Sequence, residues 1–510
     1  MQKGTLLLTA MITSASIPSL AGSQPPQRPP EGRLRELTKT HGYTLGRPFH
    51  VRITPDGTRV LFLRASSTSP VSDLFVHELS SGETRRLLSA HALLGDRSES
   101  LSAAEKAERE RKRIKTAGFT GFEVSKDGDR LVLKLNGQLF LHDFSDGRSV
   151  RLELPDGVVL RPKLSPSARK LAFVLDEDLH VVDLPVELPA QEALPLEPRQ
   201  LTFDGSVTPN GVAEFVAQEE MSRYDGYWWS PSGDRIAYQK NDERALEQFT
   251  ITDAARPELP GHRFAYPRPG KANVDVRVFM VSADGGQHRE LTWDREAYPY
   301  LAKVAWGGEL IMLVQSRDQG SQILLRVDPQ TGQTRTLFEE RDPAWLNIHD
   351  STPRFSEDAR SFFWATEEGG AWRLERKHLA DDGLSIVRRQ VLVGEKTGFH
   401  TLVHIDEARG WLWFLGGQDP AQLHLFRASL DGSGNATQVT SGIAWHEASF
   451  AHGGEVIALT TTSLDQLPET TVHTVGPKGE LTAGATLPIE AETPSRAPAV
   501  ELRHADGLRA

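Results

Sequence analysis

The chain has 510 residues, enough for several ordinary domains or for one large repeat architecture with an extensive core. Its 38% hydrophobic and 25% charged content fits a globular protein, and a formal charge of -11 leaves no basic footprint for nucleic acid. The absence of cysteine excludes disulfides, thiolate metal sites, a thiol nucleophile and a lipidated cysteine.

The first 32 residues read MQKGTLLLTAMITSASIPSLAGSQPPQRPPEG. Lys3 supplies a positive n-region, Thr5 to Ile17 a modest apolar stretch, and Ser19-Leu20-Ala21 the small residues of a cleavage site. Residues 1–21 are therefore expected to be a cleaved export signal, which predicts a periplasmic or secreted protein. Residues 22–46 follow as a Pro-rich leader, since proline cannot continue regular structure there. No later segment is apolar enough to span a hydrocarbon core of about 30 Å, so no membrane span is expected after signal cleavage.

From residue 50 onward one phrase recurs: a polar turn, an apolar strand, a partner strand and a Gly or Asp turn into a short polar strand. Clear copies begin ITPDGTRVLFLR, VSKDGDRLVLKL, LSPSARKLAFVL, WSPSGDRIAYQK and FSEDARSFFWAT; weaker ones begin WGGELIMLVQ, DEARGWLWFL and AHGGEVIALT. Runs such as Val60-Leu61-Phe62-Leu63 are apolar on both strand faces, so each sheet must be covered twice. Radially stacked four-stranded blades provide that cover. The prediction is an all-β, eight-bladed β-propeller over 47–490, with two short inserted helices.

The first helix is predicted within SLSAAEKAERERKRIKTAG, where Ser102 and Glu105 form a capping box and Gly118 marks the stop. The second lies in GVAEFVAQEEMSR. It carries two adjacent carboxylates, Glu219 and Glu220, just before the strand of Trp228 and Trp229. Taken alone, adjacent glutamates are usually a solvated helix face, and ERERKR at 108–113 a salt-bridged one. At a helix end that points into a cavity, however, two carboxylates suit an ammonium, which offers three donors and no acceptor. The two tryptophans are expected to fill the space between blades.

ERERKRI, GVAEFVAQEEMSRYDGYWWSP, FAYPRPGKANVDV and AWLNIHD together, in chain order, resemble the propeller region of the dipeptidyl peptidase IV family of serine peptidases, especially its bacterial members and the dipeptidyl peptidase 8 and 9 branch. The likeness runs from residue 37 onward. It implies that Glu219 and Glu220 bind the free α-ammonium of a peptide N-terminus, and that an arginine of the preceding helix holds the first carbonyl. Counting back from the next strand favours Arg113, with Arg111 and Arg109 left open. The resemblance also implies that 264–276 assists homodimer formation, although Asn273-Val274 stands where Asn-Pro is usual.

The 510 residues contain no Gly-x-Ser-x-Gly nucleophile elbow, so a Ser-Asp-His triad has no home in them and no catalytic residue is assigned. Residues 491–510 are read as a linker toward an α/β-hydrolase domain that is supplied separately or lost. The near miss HEASF at His446 lacks a second histidine at zinc spacing, and no phosphate loop or dinucleotide fingerprint occurs. No metal or cofactor is expected. The expected function is substrate gating and N-terminus recognition for an exported enzyme releasing X-Pro or X-Ala dipeptides. The alternative is a stand-alone propeller that binds peptides or partner proteins without cleaving them.

Overall fold

Strand and turn chemistry repeat eight times along the chain, and the computed structural model, which describes residues 31–95, 99–464 and 466–490, folds each repeat into one antiparallel sheet. The expected signal at 1–21, the first part of the leader and the segment 491–510 lie outside the described residues. The sheets span residues 49–88, 122–153, 159–200, 227–291, 300–341, 354–393, 399–438 and 445–486, and are called blades 1 to 8. All eight repeated phrases fall at the turn between the first and second strands of a blade. Blade 1 gains Ala117–Gly118 beside its third strand, and blade 2 gains Ala193–Pro195 beside its last. Between its second and third strands blade 4 carries a separate two-stranded arm, Glu247–Ile251 with His262–Tyr266.

Period-two alternation explains why the strands are apolar on both faces. In the strand Arg59–Ala65, Leu61 and Leu63 point into a cluster shared with blade 2, while Val60 and Phe62 point into one shared with blade 8. The same division holds around the ring, so that eight hydrophobic clusters alternate with eight blades. Each fully buried Leu or Phe in them contributes roughly 1.5–3 kcal/mol of transfer free energy. The chain is thus an all-β propeller.

The ring closes by packing blade 8 on blade 1 rather than by exchanging a strand. Ile53, Val60 and Phe62 meet Ala451, Val456 and Ala458. Backbone and side-chain bonds hold the seam: the Glu490 N–H donates to the Gly46 carbonyl at 2.8 Å, and Arg64 donates to the Pro488 carbonyl at 2.7 Å. First strands touch one another between blades 1 and 8, 2 and 3, 5 and 6, and 7 and 8, which places the first strands at the axis. Side chains that leave the first strands therefore line the central channel.

The repeated turn is built by its polar residues. Asp56, Asp127 and Asp358 each accept the backbone N–H two residues on, and Gly57 and Gly128 take the left-handed conformation beside them. In LSPSARK and FSEDARS the same place is held by Ala168 and Ala359, at φ 53° and 55°.

Among the described residues there are four short α-helices, one before the first strand and three between strands. α1 (Glu31–Lys39) and α2 (Ala90–Leu94) are not among the two expected ones; both are brief, and neither has the long periodic signal that betrays a helix in sequence. α3 (Ala103–Arg111) starts at the predicted box, with Ser102 accepting from the Glu105 N–H at 3.2 Å and Glu105 from the Ser102 N–H at 2.9 Å. It stops at Arg111, well before Gly118. Residues 117–118 pair with Val71 and Ser72 as a short strand, so the helix has to end before them, and Gly118, at φ 76°, lies so close that a Cβ would stand 2.6 Å from the Ser72 carbonyl oxygen. α4 (Phe215–Glu220) is a six-residue helix in the connection leading to blade 4.

Candidate functional site

α4 is docked by three small or flexible apolar residues, Ala217 within the helix and Ala213 and Met221 at its two flanks. Ala213, Ala217 and Met221 pack against Ala302, Ile311 and Leu313. Glu214 caps the helix, its carboxylate accepting the N–H groups of Val216 at 2.5 Å and Ala217 at 2.8 Å. Burial pushes the Glu214 pKa up, while nearby Arg223 pulls it down. Docked in this way, the helix has its last two residues, Glu219 and Glu220, on the exposed side.

The chain then turns sharply at Ser222 (φ 51°) and buries Arg223. That guanidinium donates to the Leu301 carbonyl at 2.9 and 3.2 Å, to Gln239 Oε1 at 2.7 Å and to the Asp225 carbonyl at 2.7 Å. Burial lowers its pKa to about 10, against the attraction of Glu214 and Asp225. Gly226 sits so close to the preceding connection that a Cβ would fall 2.3 Å from the Val212 carbonyl carbon. Trp228 and Trp229 then part to opposite faces, Trp229 into the cluster between blades 3 and 4, Trp228 against the cluster between blades 4 and 5. These contacts fix where α4 ends.

α3 meets α4 through one arginine. Arg111 Nε lies 3.0 Å from Glu219 Oε1, its Nη1 2.9 Å from Gln218 Oε1, and its guanidinium 5.2 Å from the centre of the Phe215 ring. Of the three arginines left open by the sequence, Arg109 is turned away into a pair with Glu99 at 2.5 Å. Arg113 follows the helix cap in the left-handed conformation (φ 52°) and lines a separate cavity. Arg113 was favoured by counting back from the next strand; of the three, Arg111, the last residue of α3, is the one that reaches Glu219. Glu220 is exposed and has no ion-pair partner among the described residues.

The neighbouring cavity, about 1000 Å³ in volume, is bounded by the first strands of blades 1 to 3 and by the segment 112–116. Arg113 and Asp225 line it, but Glu219 and Glu220 do not. Tyr224 bridges the two places, with Lys112 Nζ 4.6 Å and the Arg161 guanidinium 5.3 Å from its ring centre. On the other side the arm leans on α4, Tyr266 meeting Phe215 edge-on at 5.1 Å.

A family model described as "Dipeptidyl peptidase IV (DPP IV) N-terminal region" matches residues 125–468. The chain belongs to that family. Dipeptidyl peptidase 8 of Mus musculus is 25% identical over 515 residues, covering 80% of this chain and 56% of the relative. Inactive dipeptidyl peptidase 10 of the same organism is 26% identical over 238 residues, 44% of this chain and 30% of the relative. Among solved structures, Porphyromonas gingivalis dipeptidyl peptidase 4 superposes with a TM-score of 0.66 at 16% identity, over 89% of this chain and 61% of the other; this likeness is one of fold. The chain spans about half the length of the curated relatives it matches.

Within this family region, Glu214 and Arg223 are the supporting residues that sequence reading passed over. The signal for Glu214 was a carboxylate directly before a short helix-forming run, at the N-cap of α4. Val274, where the family-like arm motif usually has proline, is buried against the cluster between blades 4 and 5. His446 is buried on the first strand of blade 8, its Nδ1 3.0 Å from Thr461 Oγ1, and no group of three or more metal-ligating side chains occurs among the described residues. No helix among them is long and apolar enough to cross a membrane.

Proposed function

We propose that this chain is the N-terminus-recognising propeller of a serine-type dipeptidyl peptidase, exported to the periplasm or the medium. The observation that carries the reading is the junction of Arg111 with Glu219, which brings together two helices that are 108 residues apart in the chain. In this reading Glu219 and Glu220 accept the three N–H donors of a peptide α-ammonium. Arg111 fixes the Glu219 carboxylate and keeps further N–H donors for the first carbonyl of the peptide. Anchoring the amine at one place sets the distance to the scissile bond, so that a hydrolase unit beside the propeller would release dipeptides. The arm beside α4 assists pairing of two copies.

Because one matched relative is named as inactive, a second reading keeps the same amine site without turnover. Both readings are tested by titrating the chain with an Ala-Pro peptide bearing a free amine and with its N-acetylated form. The free amine should bind, the acetylated peptide should not, and the double change Glu219→Gln and Glu220→Gln should abolish binding while preserving shape. Equal binding of both peptides would refute amine recognition. Addition of a hydrolase unit encoded alongside then separates the two readings by release of the dipeptide.

A further inference from the structure

The cavity between blades 1, 2 and 3 has a charge opposite to that of the protein. The chain as a whole carries -11, yet the cavity lining holds eight Lys and Arg residues against three carboxylates, Glu108, Glu123 and Asp225. Some of these cations are neutralised in place. Arg161 and Lys112 share Glu108 at 3.1 and 2.7 Å, Lys163 pairs with Asp225 at 2.6 Å, and Lys134 pairs with Glu105 at 2.7 Å. Arg52, Arg113 and Lys115 are different. Among the described residues none of the three has a carboxylate within ion-pair distance.

The three come from two separate elements, the first strand of blade 1 and the segment after α3, and they face one space. We propose that this cavity is a binding site for a small polyanion, a compound carrying two or more carboxylate or phosphate groups, held by Arg52, Arg113 and Lys115. A concave, low-dielectric wall of one sign focuses the field and raises the local concentration of the opposite ion. The guanidinium fork suits either oxyanion in bidentate fashion. The volume lies at the upper end of what small-molecule sites occupy, so it admits a ligand of tripeptide or nucleotide size. One local effect agrees with a positive cavity: burial, then Arg52 and Lys112, push the pKa of His50 down to about 4.

This inference does not depend on the amine site, and the probes are chosen accordingly. An N-acetylated, C-amidated Asp-Glu-Asp peptide, inorganic pyrophosphate and an N-acetylated, C-amidated Lys-Gly-Lys peptide are titrated calorimetrically into the full chain. Saturable binding of at least one anion, weakening as salt rises from about 50 to about 200 mM, with no binding of the cationic peptide, is the expected result. The tighter of the two anions identifies the source of the ligand as acidic peptide or phosphate ester. Reversing Arg113→Glu and Lys115→Glu, both exposed, should lower affinity by about tenfold or more, whereas Lys126→Glu on a blade 2 turn outside the cavity should not. Arg113→Ala serves as a milder variant should the double reversal lower the melting temperature. Absence of saturable anion binding, or binding indifferent to both changes at 113, would overturn the proposal.

Discussion

Replacing Glu123 by glutamine should make the protein more stable at alkaline pH and leave it unchanged in acid. Glu123 lies on the first strand of blade 2, facing the channel. Burial raises its pKa from 4.5 to about 7; Asp225 raises it further, and Lys163 and the Leu164 backbone oppose the rise. The folded state therefore holds a proton between pH 4.5 and 7 that the unfolded chain has released. Where the native state binds more protons, stability falls as pH increases. Below 4.5 both states are protonated and nothing is lost; above 7 both are ionised and the full penalty is present. At 1.36 kcal/mol per pKa unit the penalty is about 3 kcal/mol. Glutamine keeps the shape and an acceptor oxygen but cannot ionise. Melting temperatures of the two proteins, measured by calorimetry at intervals from pH 4.5 to 8.5, should coincide at the acid end and separate by a few degrees in favour of the variant above pH 7. A gap of constant size across that range, or a variant less stable at pH 8, would refute the assignment of a desolvated, partly protonated Glu123.

Other changes probe the framework of the site. Gly226→Ala forces a Cβ to 2.3 Å from the Val212 carbonyl carbon and should destabilise the chain by more than about 3 kcal/mol, seen as a large drop in melting temperature. Ser102→Ala removes the side-chain half of the capping box and should cost about 1 kcal/mol locally, read as faster amide exchange over 103–111 with the blades unaffected. Arg111→Ala should weaken binding of a free-amine Ala-Pro peptide, and Arg109→Ala should not, because only Arg111 touches Glu219; equal losses would contradict the geometry. The 510-residue polypeptide alone should not hydrolyse a Gly-Pro chromogenic amide, since it holds no Gly-x-Ser-x-Gly elbow and loss of even one oxyanion donor costs about 100- to 1000-fold in rate.

The propeller was legible in the sequence because each blade announces itself locally. A turn such as PDGTR, a doubly apolar strand and its partner lie within about twenty residues, and the physics of turn and period-two alternation needs nothing from elsewhere. The start of α3 was legible for the same reason: Ser102 and Glu105 satisfy one another's backbone. That Trp228 and Trp229 fill the space between blades was legible as well, since both lie on a strand.

What tertiary structure decided is which distant groups meet. Ala117–Gly118 is held on the third strand of blade 1, so α3 has to end before it, and the packing of the ring brings Arg111 rather than Arg113 to Glu219. The length of α4 depends on the surface offered by blades 5 and 6 to Ala213, Ala217 and Met221. Glu123 looks like any polar strand residue in sequence; its altered acidity arises because the ring buries it and brings Lys163, from the first strand of blade 3, and Asp225, from the connection to blade 4, around it. Local sequence encodes the blades, since their hydrogen bonds and turns close over short distances. The site and the charged cavity exist only once the ring has closed, because their members lie more than a hundred residues apart in the chain and are held together by the packing of the blades.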